Sequence, residues 1–208
     1  MIQQLLERYP CLDICREALE DACAKIIACY ENGGKLLLCG NGGSCADAEH
    51  IAGELMKGFL KKRPLSSQQR QQMLARNPQL DESILDNLQN GLPAIPLASF
   101  GALGTAVSND TDPALVYAQP LMALGKEGDV LIGISTSGNA KNVAAAANLA
   151  KAMGITVIGL TGEGGGTLGR IADVCICAPE KETFKVQELH LPIYHYLCAA
   201  TEEHFYEI

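Results

Sequence analysis

The chain has 208 residues, 48% hydrophobic but only 5% aromatic, with no tryptophan and a net charge of −8. That length suits one domain with a sizeable core. The acidic balance offers no basic face to nucleic acid, and the scarcity of aromatics argues against a stacking platform for bases or sugars.

Met1 to Arg8 is amphipathic and turns acidic too early for a secretory leader. No apolar run approaches the ~20 residues needed to cross a bilayer. A cytoplasmic protein is expected, its nine cysteines reduced and filling core space. Neither Cys11-x3-Cys15 nor Cys175-x-Cys177 has zinc-finger spacing. Strand alternation puts Cys175 and Cys177 on one face, where packing suffices.

Helical spacing of Ile14, Ala18, Ala22, Ile26 and Ile27 predicts a helix over 3–31, broken near Pro10 and stopped by Gly33-Gly34. Residues 35–40 form a short apolar run bounded by glycine, the pattern of a buried parallel strand. A helix follows over 44–58. Residues 60–92 break the rhythm: they are Lys/Arg/Gln-rich, contain Pro64 and Pro78, and suggest two short helices at 66–76 and 81–89. This stretch is taken as an insertion, packed as a flap or an oligomer contact. Its basic half (Lys57, Lys61, Lys62, Arg63, Arg70) either meets an anion or, for most of these residues, is a solvated face.

Four further strands are expected at 94–98, 129–135, 155–161 and 174–178, with helices at 139–153, 168–172 and 183–204. Pro96 fits poorly inside a central strand. Strands alternating with helices imply βαβ units, so the expectation is one α/β domain over 1–208: a doubly wound, five-stranded parallel sheet flanked by helices.

Ligands of such sheets sit beyond the carboxyl ends of the strands. Two polar, glycine-rich loops leave strands there and enter helices: Cys39-Gly40-Asn41-Gly42-Gly43-Ser44 and Ile134-Ser135-Thr136-Ser137-Gly138-Asn139. Glycine admits a ligand close to the backbone, and a helix N-terminus presents free amides. Either loop alone could be an ordinary helix cap; the pair points to a ligand. Neither has the spacing of a dinucleotide or P-loop fingerprint, which favours a compact monophosphate. His50 and Glu54, four apart on the helix after the first loop, project from one face. Such a pair can hold a divalent metal, do acid–base work, or merely decorate a surface.

These two loops, together with Leu160-Thr161-Gly162, resemble the phosphosugar-binding signature of the sugar isomerase (SIS) family. Within that family the likeness is greatest to the sedoheptulose-7-phosphate (phosphoheptose) isomerases, over nearly the whole chain outside 60–92. The resemblance implies a flavodoxin-like sheet and a homotetramer with sites between subunits. It also implies isomerisation of a heptulose phosphate to an aldose phosphate. Carried over residue by residue, it places phosphate on Ser135, Thr136 and Ser137. Substrate contacts fall to Asn41, Gly42, Gly43, Ser44, Glu54, Asn109, Asp110 and Gln187. One zinc ion per active site is implied on His50, Glu54, Gln187 and His195. An aldose–ketose conversion through a cis-enediol needs a base and an acid, for which Glu54 and His195 are the choices. Zinc would polarise the C1/C2 oxygens.

Gln187 and His195 are two helical turns apart, about 12 Å in rise. They can share one ion only if they lean together or come from neighbouring subunits, and His190 is a rival ligand. Asp47 is placed to orient His50, with Ser44 as the helix N-cap. Tyr194, Tyr196, Leu197 and Cys198 give the last helix more apolar surface than one sheet face needs, which suggests the oligomer. Ala140 stands where the family usually has a phosphate-binding serine, and Cys45 replaces a commonly polar residue. The rival reading is a SIS-fold phosphosugar sensor or protein-binding adaptor that does no chemistry. The joint presence of His50, Glu54, Gln187 and His195 favours the enzyme.

Overall fold

The structure, a computed structural model, describes residues 1–206. In chain order the elements are α1 (Ile2–Arg8), α2 (Arg16–Glu31), β1 (Leu36–Gly40), α3 (Gly43–Met56), α4 (Ser67–Arg76) and α5 (Glu82–Asn87). They continue with β2 (Ala94–Pro96), α6 (Gly101–Asp110), α7 (Ala118–Leu124), β3 (Val130–Ser135) and α8 (Lys141–Ala152). The last are β4 (Thr156–Thr161), α9 (Gly166–Ile171), β5 (Val174–Cys177) and α10 (Thr183–Phe205).

The five strands form one parallel sheet in the order β2-β1-β3-β4-β5. Strand alternation splits the core in two. Leu36, Leu38, Ile132, Ile134, Ile158 and Ile176 pack against α2, α3 and α10, whereas Leu37, Leu131 and Val157 meet α7, α8 and α9. A sheet buried on both faces explains why its strands read as unbroken apolar runs. Pro96 is tolerated because β2 is the edge strand, where a missing N–H costs no ladder bond.

Helices α6 and α7 were not anticipated. α6 buries only Val107, so it carries no apolar stripe for periodicity to detect. Two short helices do form in the Lys/Arg/Gln-rich segment; α4 starts on a capping box between Ser66 and Gln69. The segment is not a free basic flap, however. Arg63 is 1% exposed and paired with Glu202, and Lys61 pairs with Glu203.

Candidate active site

Register decides where the loops converge. Gly40 pairs with Ile134 and Ser135 with Thr161, so the chain leaves β1, β3 and β4 at one level of the sheet. β1 and β3 are also the neighbours at which strand order reverses, the usual ligand crevice of this architecture.

After β1 the chain turns through Gly42 at φ 56°, which caps α3 in place of Ser44. Ser44 is buried, and a Cβ on Gly40 would strike it. Asn41 is held by a reciprocal amide pair with Asn142, 2.9 Å each way, and the Tyr117 hydroxyl lies 2.5 Å from the Gly40 carbonyl and 2.9 Å from Asn41 Oδ1. Neither Asn142 nor Tyr117 was among the expected residues, and Tyr117 lies in a stretch to which the sequence assigned no element.

After β3, Gly138 turns at φ 67° against the backbone of Gly165 and Gly166. The Gly162 amide donates to the Thr136 carbonyl at 2.9 Å, and the Leu168 amide to the Gly138 carbonyl at 2.8 Å. The two loops thus brace each other. The Ser135 Oγ accepts from the Ala140 amide (3.4 Å) and the Ser137 Oγ from the Asn139 amide (3.2 Å), which leaves both hydroxyl protons to donate. Ala140 caps α8 without a side-chain bond; the Val143 amide is taken by Asn142 Oδ1 at 3.0 Å, which leaves the Lys141 and Asn142 amides open to an anion.

Helices α3 and α10 pack side by side and bring together three of the four expected metal ligands. One ligand atom each from His50, Glu54 and His195 lie within 4.8 Å of one another. Tyr194 donates to Asp47 Oδ1 at 3.2 Å and stands 3.0 Å from His50 Nδ1. With the Tyr194 proton on Asp47, His50 Nδ1–H donates to the tyrosine oxygen, and His50 Nε2 stands 3.0 Å from Glu54 Oε1. That separation suits either a proton or a metal ion shared between the two groups. His195 Nε2 is buried without a partner among the described residues. Burial first, and then the nearby His50, lower the His195 pKa, keeping a lone pair free. This donor set fits a divalent ion: two imidazoles and a carboxylate make the three-ligand kind of catalytic zinc site that keeps one position open. Asp47 does orient His50, but through Tyr194.

Gln187, the fourth expected ligand, lies beside the first substrate loop. Its amide fills the space a side chain on Gly43 would take, two turns of α3 before His50. The rise along α10 separates it from His195, as helix geometry demands. His190 is excluded as a rival ligand: it is fully buried, and its Nε2 bonds the Thr161 carbonyl at 3.1 Å. Asn109 and Asp110 end α6, exposed and bonded to each other at 2.8 Å; α6 packs chiefly on the 113–115 turn. Tyr194, Leu197 and Cys198 are at most 5% exposed, buried in their own core, so they provide no spare surface for an oligomer.

A SIS domain model matches residues 108–200, and a second SIS domain model matches residues 5–90. The phosphoheptose isomerase of Aneurinibacillus thermoaerophilus is 40% identical over 185 residues, covering 89% of this chain and 80% of that protein. Among solved structures, a phosphoheptose isomerase from Neisseria gonorrhoeae superposes with TM-score 0.76 at 30% identity, covering 97% of this chain and 95% of that one. One from Francisella tularensis gives 0.77 at 29%, covering 97% and 94%.

Proposed function

The chain belongs to the phosphoheptose isomerases of the SIS-domain family, and on that premise we propose that it converts sedoheptulose 7-phosphate to D-glycero-D-manno-heptose 7-phosphate through an enediol. The observation that carries this reading is the convergence of His50, Glu54 and His195 on one point, with Tyr194 and Asp47 fixing the histidine.

The phosphate is assigned to the Ser135, Thr136 and Ser137 hydroxyls and the open amides of α8, with Asn41 to Ser44 beside the sugar. His50, Glu54 and His195 would hold one zinc ion, which supplies Lewis-acid polarisation of the C1 and C2 oxygens when bound. Glu54 takes the C1 proton of the ketose and returns it at C2; one carboxylate oxygen faces His50, and the other, 3.8 Å from Lys57, is left for this work. With its lone pair on the ion, neutral His195 acts as the acid through its ring N–H, which would donate a hydrogen bond to the carbonyl oxygen while the hydroxyl proton passes directly between O1 and O2 of the cis-enediol. Gln187 serves as a substrate contact beside Gly43, and joins the metal only if a neighbouring subunit brings it there.

We place the enzyme in the cytoplasm as a homotetramer. No described helix is long and apolar enough to cross a membrane. Exposed apolar residues such as Ile14, Leu60, Met122 and Leu191 are the surface an assembly would cover.

The test is turnover of a panel of ketose phosphates in deuterated water, followed by NMR. The heptulose phosphate should give an aldose carrying deuterium at C2, and Glu54→Gln should keep less than a few per cent of the rate. Failure to turn over any ketose phosphate, with the phosphate still bound, would favour the sensor instead.

A further inference from the structure

Outside the proposed site a charged pair is removed from water on both sides: Arg63 and Glu202, each 1% exposed. Burying such a pair is costly unless every donor and acceptor is satisfied, and removing one partner leaves a bare buried charge. Here the satisfaction is nearly complete, and it is spread over three parts of the chain.

The Arg63 Nε donates to Glu202 Oε1 at 2.8 Å. Nη2 lies 2.8 Å from the same oxygen and also donates to the Glu54 carbonyl at 3.2 Å, while Nη1 donates to the Leu55 carbonyl at 2.6 Å, both on α3. These carbonyls belong to the last turn of α3, where helix geometry leaves acceptors without partners and a cation is favoured. Glu202 also accepts the amides of Phe59 (2.8 Å), Leu60 (2.7 Å) and Lys61 (3.1 Å). Burial raises the Glu202 pKa, but those amides and Arg63 outweigh it and hold the carboxyl ionised. The Tyr206 ring covers the guanidinium with its centroid 4.6 Å away, and Lys61 Nζ holds the Tyr206 carbonyl at 2.9 Å.

The two helices tied here carry the chemistry proposed above. α3 bears His50 and Glu54, and Arg63 grips the peptide carbonyl of Glu54 itself. α10 bears His195 two turns before Glu202. We propose, resting on the isomerase reading, that Arg63 is a positioning residue of the reaction: its fork to Glu202 and to the end of α3 sets the separation of Glu54 from His195. Lysine cannot replace it, because one ammonium cannot span two carbonyls and a carboxylate in a plane. Displacements of about 1 Å at reacting groups cost on the order of 100-fold in rate, so a loosened clamp is expected to show in turnover.

The experiment compares Arg63→Lys with Lys35→Met, which breaks the partly buried Lys35–Asp129 pair on another part of the fold. For each, kcat and KM are measured, and cobalt(II) affinity is read from its visible absorption. Arg63→Lys should lower kcat at least ~10-fold with KM within about threefold, and weaken cobalt binding ~10-fold or more, the range seen when supports of metal ligands are lost. Lys35→Met should lose stability but keep both quantities within about twofold. Should Arg63→Lys not fold, Glu202→Gln, which keeps an acceptor for the three amides, carries the same expectation. Values within threefold of wild type, or equal losses in Lys35→Met, would overturn the clamp. If the wild-type protein turns over no ketose phosphate, the isomerase reading fails while the cobalt titration still decides the positioning.

Discussion

In a protein of net charge −8, long-range steering repels a dianionic ligand, so phosphate affinity must come from donors in contact. Replacing Ser135 and Ser137 together with alanine isolates that contribution. In the structure both oxygens already accept backbone amides of their own loop, so each hydroxyl has one proton and a single direction in which to give it. A hydrogen bond to a charged group contributes about 1.5–3 kcal/mol. Two of them make about 3–6 kcal/mol, and at ~1.4 kcal/mol per tenfold the double variant should bind at least ~100-fold more weakly. Binding should not vanish, because Thr136, the open α8 amides and the helix dipole remain. The assay is titration calorimetry with sedoheptulose 7-phosphate, with circular dichroism to show that α8 is retained. Affinity within threefold of wild type would place the phosphate elsewhere.

Removing metal with a chelator should abolish turnover, and one equivalent of zinc per chain should restore it; full activity in metal-free protein by elemental analysis would contradict the ligand trio. Tyr194→Phe breaks the link from Asp47 to His50 and should weaken zinc about 10- to 100-fold in competition with a chromophoric chelator, while leaving phosphate affinity unchanged. His190, buried first of all and only partly supported by its bond to Thr161, is held at a pKa of about 4 against an ordinary 6.5. The folded protein then binds fewer protons than the unfolded chain between those values, so stability should fall by up to about 3 kcal/mol as pH drops from 6.5 toward 4. His190→Gln should flatten that slope in urea unfolding at pH 7.5 and 5; an unchanged slope would assign it to other groups.

Local pattern carried much of this protein. Each strand is a short apolar run buried on both faces, and each substrate loop is glycine and hydroxyl residues between a strand and a helix, so both are visible along the chain. His50 and Glu54 were legible for the same reason: one helical turn fixes their relation before any packing occurs. What depended on distant contacts was not legible. Arg63 belonged to a lysine- and arginine-rich stretch and looked solvated, because its partner Glu202 is 139 residues away. Tyr117 reaches Asn41 only once β1 and α7 are placed. Gln187 fits a family pattern by residue type, yet the packing of α10 on α3 sets its amide against Gly43 and leaves His195 to meet His50 and Glu54. Residue spacing determines which groups share a turn; only the packing of one helix on another decides which turns meet.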